Sequence, residues 1–276
     1  MILFTFGSPR SGSTWLHNVV RRLLILSKIS FRAGFSSDPG AALKRGLNPN
    51  LHEVIVLKSH QWGDLGLLNQ LVEEGLARVL VSTRETTSQI RSMTRIAESS
   101  EKQRPEKTVV DRVSELRRRT AADLENLAAL RPYLSIQEAD MRNNPEQAVN
   151  DVARFLGLKL SRFDLNKIAK EFTIDAVHAK ILSMSEERGW RGSFNEYDRE
   201  THWHANHIGD DDTNDTLDFS SPDVRALVSD AEAVRSQIGR HSSREARLDL
   251  RTKPEDPSGL QLAFLSTRPD QAMVTG

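Results

Sequence analysis

The 276-residue chain has no cysteine. That excludes disulfide staples, thiolate nucleophiles and cysteine-held metals, and it fits a reducing compartment. Net charge is also absent: 38 basic residues face 38 acidic ones. Nothing global therefore draws the chain to nucleic acid or to an anionic membrane. No apolar run approaches the roughly 18 residues that a bilayer-spanning helix needs. Residues 1–6 (MILFTF) carry neither a basic leader nor a cleavage site, which argues against a signal peptide and sets a cytoplasmic location as the expectation. Internal repeats are missing as well. What is present suffices for a packed core, because 38% of the residues are hydrophobic and 28% charged, a balance that argues against wholesale disorder. The length suits one sizeable α/β domain. We expect a single domain over residues 1–240 and a flexible tail over 241–276, where the sequence is polar and patternless with three prolines.

Four short apolar runs predict strands: residues 2–6, 54–57, 79–81 and 133–136. After the first, Trp15, Leu16, Val19, Val20, Leu23 and Leu24 recur at helical spacing, with Arg21 and Arg22 on the other face. Further helices are expected near 64–75, 86–98, 107–130, 144–156 and 222–238, the last two opening on Pro145 and Pro222. Arg117, Arg118 and Arg119 fit a solvated helix face. Residues 27–50 and 186–221 have loop composition. Strands alternating with helices predict a three-layer α/β fold, a parallel sheet flanked by helices. Ligands in such sheets sit at the carboxyl ends of the strands. Lys58, Ser59 and His60 follow the second run, and Ser82, Thr83 and Arg84 follow the third.

The first strand runs into Gly7-Ser8-Pro9-Arg10-Ser11-Gly12-Ser13-Thr14. Both glycines and the last hydroxyl fit the nucleotide-triphosphatase pattern G-x-x-x-x-G-K-[ST], but Ser13 stands at the lysine position. The cation is Arg10, inside the loop. Backbone N–H groups at a helix N-terminus still make a phosphate cradle. Without the lysine that reaches β- and γ-phosphates, a triphosphate is a poorer candidate. The plain alternative is a Gly/Ser-rich turn that binds nothing.

The stretch from Ser8 to Leu16 resembles the 5′-phosphosulfate loop of the sulfotransferase family, in which a basic residue precedes Ser-Gly-Thr/Ser-Thr and often Trp. Arg84, followed eight residues later by Ser92, resembles the family's 3′-phosphate element. Lys58-Ser59-His60 is similar to its Lys-Thr-His, where the histidine is the general base. Glu138-Ala139-Asp140-Met141, then Asn144-Pro145 and Phe155-Leu156-Gly157, look like its Tyr-Glu-Asp-Leu, Asn-Pro and Phe-Leu-Gly stretch. Arg188-Gly189-Trp190-Arg191-Gly192 is similar to its C-terminal Lys-Gly-x-x-Gly loop. The resemblance spans roughly residues 2–195. It departs at Glu138, where the family often has tyrosine, and at Glu187, where a basic residue often precedes the loop.

The resemblance implies a P-loop-like sulfotransferase architecture and transfer of a sulfuryl group from 3′-phosphoadenosine 5′-phosphosulfate to an acceptor hydroxyl or amine, without a metal. Arg10 and Lys58 are candidates to neutralise the leaving phosphate, and His60 to take the acceptor's proton, with a carboxylate as the alternative base. Arg10, Ser11, Gly12, Ser13 and Thr14 would hold the 5′ side. Arg84, Ser92, Arg188 and Gly189 would hold the 3′-phosphate. Trp15 would stack on adenine or pack in the core. His202, His204 and His207 would bind metal, pack a loop or contact the acceptor. Phe35, Trp62 and Trp190 would shape an acceptor pocket or close a core. The acceptor would be a small molecule, sugar or lipid, not a nucleic acid. The rival functions are a magnesium-dependent P-loop kinase or NTPase with an altered loop, and a nucleotide-binding protein without catalysis.

Overall fold

A computed structural model describes residues 1–46, 54–99, 108–130, 132–190, 196–204 and 218–240. Its sheet has five parallel strands: β1 (Ile2–Gly7), β2 (Phe31–Phe35), β3 (Val54–Ser59), β4 (Ala77–Thr83) and β5 (Tyr133–Gln137), in the spatial order β2-β3-β1-β4-β5. β1 is the centre, paired with β3 on one side and β4 on the other. All of its residues are buried, as expected for a strand covered on both faces.

Alternation along β1 divides the core in two. Leu3 joins Val56, Leu80 and Leu134 beneath α1 (Ser13–Leu26), α7 (Pro145–Phe155) and α8 (Arg162–Glu171). Ile2, Phe4 and Phe6 join Leu57, Val79 and Val81 on the opposite face, covered by α3 (Leu65–Glu73) and by Leu127 of α5 (Val109–Ala129). A third cluster joins Ile90 of α4 (Thr86–Ser99) and Val113 and Leu116 of α5 to Ala231 of α10 (Pro222–Arg240). Three further helices lie among the described residues: α2 (Pro39–Gly46), α6 (Glu138–Asn143) and α9 (Ile174–Arg188). Among the described residues no helix is long and apolar enough to cross a membrane.

The four strands and six helices expected from the sequence all form, within a few residues. Residues 27–50 are not simply loop. They hold β2, an edge strand with only partial burial and hence no apolar run to announce it, and the short α2. Helices α8 and α9 went unassigned although side-chain caps open both: Ser161 accepts from Asp164 N–H and Thr173 from Ala176 N–H. The span 186–221 begins with the last turn of α9, and residues 196–204 form a structured turn. Arg21 is buried rather than on a solvated face, because this turn covers it: its guanidinium donates to Asn18 Oδ1 (2.9 Å) and pairs with Glu200. Arg117 likewise pairs with Asp230 of α10, whereas Arg118 is exposed. The expected tail, 241–276, lies outside the described residues.

Candidate functional site

Residues 8–12 join β1 to α1. A β-carbon at Gly7 would fall 2.1 Å from Ser82 Oγ and 2.5 Å from Ser11 Oγ, so the end of β4 packs directly on the loop. Ser11 Oγ and Ser82 Oγ are hydrogen-bonded at 2.9 Å. Gly12 sits at φ 88° as the N-cap of α1, a backbone state that glycine enters without penalty. Arg10 is also left-handed, at φ 69°, a state uncommon for residues with a β-carbon and costing of order 1–3 kcal/mol. Glycine at the cap supplies no side-chain cap of its own. An anion is the natural complement of the first N–H groups of α1, and the helix dipole favours it.

Lys58 and Arg84 converge on this loop, which carries a third basic residue, Arg10. Lys58, at the end of β3, is 4% exposed and its Nζ donates to Thr14 Oγ1 at 2.6 Å. Burial first, and the nearby Arg10 second, lower its pKa to about 7. Arg10 Nε donates to Ser92 Oγ on α4 at 2.9 Å, and Arg84 Nη1 donates to the Arg10 carbonyl at 3.4 Å. The structure thus gathers Arg10, Arg84 and Ser92, which the sequence spreads over more than eighty positions.

His60 follows Lys58 at the same strand end. Its Nδ1 lies 2.5 Å from the Gly7 carbonyl oxygen. A carbonyl only accepts, so Nδ1 carries the proton and Nε2 keeps its lone pair. Burial and then Lys58 lower the His60 pKa to about 4, with the Gly7 bond acting in the opposite direction. The imidazole is therefore neutral at pH 7 and able to accept a proton.

The 196–204 turn closes the other side. Asp198 Oδ1 accepts from Thr201 N–H (2.6 Å) and Glu200 N–H (3.1 Å), Arg188 pairs with Asp198 at 2.7 Å, and Asn18 Nδ2 donates to the Thr201 carbonyl at 2.7 Å. The buried Trp203 anchors the turn against Phe172. His202, at φ 58°, has its ring centroid 5.3 Å from that of the fully buried His17 and 6.2 Å from that of Phe35. Phe35 lies in turn 5.6 Å from His60. Burial lowers His202 and His204 to about 4, with Lys58 adding to both and Arg10 to His204. Neutral imidazoles thus lie near Lys58 and Arg10. Phe35 and Tyr197, whose rings both lie near His202, remain 46% and 44% exposed. Among the described residues no group of three or more His, Cys, Asp or Glu side chains is placed to hold a metal, and His207 lies outside them.

Other expected residues make structural contacts. Trp15 Nε1 donates to the Phe172 carbonyl at 2.9 Å and its ring meets Phe172 edge-on. Trp62 is buried and stacks on Phe6 at 3.7 Å, so it closes a core. Arg188 is engaged by Asp198 and lies over Trp190, and Gly189 (φ 64°) ends α9. Arg191 and Gly192 fall outside the described residues.

Sequence reasoning missed Asp123 of α5. It is buried and bridges the two key segments: Oδ1 accepts from Trp62 Nε1 (2.8 Å) and Oδ2 from Ser8 Oγ (3.2 Å). Burial raises its pKa, while these donors and Arg119 counter it. A signal existed, because Leu116, Thr120, Asp123 and Leu127 share one helix face at spacings of three and four. An acid on that face needs buried partners.

No family model matches the sequence, and no curated protein matches it. Solved structures do. The fold is similar to mouse sulfotransferase SULT7A1 complexed with PAP, at TM-score 0.59 and 13% identity over 87% of this chain and 86% of that one. It is similar also to retinol dehydratase in complex with androsterone and inactive cofactor PAP, at TM-score 0.50 and 13% identity over 88% and 81%. The parallel sheet, its flanking helices and the strand-loop-helix unit at its centre are those of a sulfotransferase-like fold.

Proposed function

We propose that this chain is a sulfotransferase that moves a sulfuryl group from 3′-phosphoadenosine 5′-phosphosulfate to an acceptor hydroxyl or amine. One observation carries this: the helix N-terminus at Gly12, Lys58 on Thr14, and a His60 whose Nε2 lone pair is fixed by the Gly7 contact share one end of the sheet. Such a group has little use for covalent catalysis but suits in-line displacement, which needs alignment and charge neutralisation. The likeness to two PAP-bound structures supports the choice of nucleotide.

In the proposed step the acceptor oxygen attacks sulfur and forms the new O–S bond. The bond from sulfur to the bridging oxygen breaks, and 3′-phosphoadenosine 5′-phosphate leaves with the electron pair. His60 Nε2 takes the acceptor's proton. Arg10 and Lys58 meet the charge that grows on the bridging oxygen, where a cation helps most in the transition state. Ser11, Ser13 and Thr14 would add donors on the 5′ side, and Arg84 and Ser92 would hold the 3′-phosphate. The displacement requires no metal. The acceptor would approach between Phe35, Tyr197 and His202, and the working place would be the cytoplasm.

Isothermal titration with 3′-phosphoadenosine 5′-phosphate, with and without magnesium and against ATP, tests this. Metal-independent binding of the bisphosphate, weakened in Arg84→Ala, is expected. Binding of ATP only with magnesium, and indifference to the bisphosphate, would overturn it in favour of a kinase-like protein.

A further inference from the structure

The proposed 3′-phosphate site already contains an anion. β4 and β5 pair in parallel with Thr83 opposite Gln137, so the next residues, Arg84 and Glu138, emerge side by side at the ends of their strands. Arg84 is 6% exposed and its Nε lies 3.9 Å from Glu138 Oε2. Arg142, one turn along α6, pairs with Oε1 of the same carboxylate. The carboxylate is also close to the phosphate loop: a β-carbon at Gly12 would lie 3.6 Å from Glu138 Cγ. Two guanidinium groups and the loop therefore face one side chain, itself only 16% exposed.

A buried guanidinium needs a counter-charge, and a carboxylate at 3.9 Å is a loose one, beyond hydrogen-bond length. A phosphate offers three oxygens and more charge, and matches the planar fork of arginine. It cannot share Arg84 with Glu138 at no cost, because the two anions repel.

We infer that Glu138 is an internal counter-anion of the 3′-phosphate site, displaced when a 3′-phosphorylated nucleotide binds, and that Arg142 then serves beside Arg84 as a phosphate ligand. This rests on the sulfotransferase reading of the site. Glu138 sets a ceiling on affinity for donor and product alike, and so favours product release. It acts most on the 3′-phosphate, whose arginines it occupies, and less on the 5′ end, which the loop backbone holds.

The test is calorimetric titration of the full chain, wild type, Glu138→Gln and Arg142→Gln, with adenosine 3′,5′-bisphosphate and with adenosine 5′-phosphate. Glutamine keeps the size of Glu138 and can still meet Arg142, and thermal melts check that each variant folds. Glu138→Gln should bind the bisphosphate about tenfold more tightly, about 1.4 kcal/mol, and adenosine 5′-phosphate with a clearly smaller gain. Arg142→Gln should bind the bisphosphate more weakly and the monophosphate unchanged. An equal gain for both nucleotides, or none for the bisphosphate, would overturn the inference and leave the donor site standing. Failure of wild type to bind the bisphosphate at all would remove the donor site, and the inference with it.

Discussion

Lys58→Arg separates charge from titration. Lys58 is 4% exposed with a pKa lowered to about 7, far below the roughly 10.4 of a free lysine. In the empty site it is therefore partly neutral at pH 7, and its charge is lost as pH rises through that value. His60 sets the other limit: with a pKa near 4 it becomes protonated, and useless as a base, as pH falls through 4. kcat/KM reports groups of the free enzyme, so its profile should be a plateau from about 4 to about 7 that falls on both sides. Arginine stays protonated throughout this range. The alkaline fall should disappear in Lys58→Arg, whatever the amplitude lost to fitting a larger group beside Thr14. Lys58→Met should lose the charge altogether. A unit charge about 4 Å from a developing half-charge, at an effective dielectric near 20, contributes about 2 kcal/mol, or some thirtyfold in rate. Initial rates of sulfuryl transfer over pH 4–9 measure this. An alkaline limb near 7 that persists in Lys58→Arg would refute the assignment of that limb to Lys58.

His60→Asn keeps an N–H for the Gly7 carbonyl but removes the base. It should lower kcat by about 10²–10⁴ while calorimetric binding of 3′-phosphoadenosine 5′-phosphate stays as in wild type. Arg84→Ala should cost about 1.5–3 kcal/mol of bisphosphate binding, roughly ten- to hundredfold, and leave adenosine 5′-phosphate little changed in the same titration. Gly12→Ala places a β-carbon 2.8 Å from Met141 Sδ at φ 88°; it should destabilise by about 1–3 kcal/mol and lower Tm by several degrees in a thermal melt. Asp123→Ala leaves Trp62 Nε1 and Ser8 Oγ without their shared acceptor and should cost about 1–3 kcal/mol in denaturant unfolding, with Asp123→Asn costing less.

β1, β3, β4 and β5 were legible because their burial favours short apolar runs, in β5 too, which is the sheet's other edge but is buried at four of its five positions. β2 was not. At the sheet edge, with its residues only partly covered, it needs no such run, and its glycine and arginine suggest a loop. α9 escaped for a related reason: Val177 and Ile181 are its only buried residues, too few to set a period over fifteen positions. Arg21 looked solvent-facing because the turn that covers it comes from residues 196–204, nearly two hundred positions away.

The site divides along the same physical line. Residues that the backbone itself delivers, such as Gly12 at a helix start and Lys58 and Arg84 at strand ends, carry a positional signature that one sequence can show. Residues whose role depends on what a distant segment brings cannot show it. Asp123 matters because Ser8 and Trp62 reach it from two other elements, and Glu138 because the β4–β5 register sets it beside Arg84. Both are acids in a site that, on the proposed function, holds a highly charged anion. Asp123 has two uncharged donors, and burial raises its pKa, so it anchors the loop without drawing on the site's cations. Glu138 pairs with two arginines, so it competes for cations that the nucleotide needs. The two acids should therefore separate in one assay: loss of the Asp123 carboxylate should weaken the loop for every nucleotide, whereas loss of the Glu138 charge should strengthen binding, and most for nucleotides bearing a 3′-phosphate.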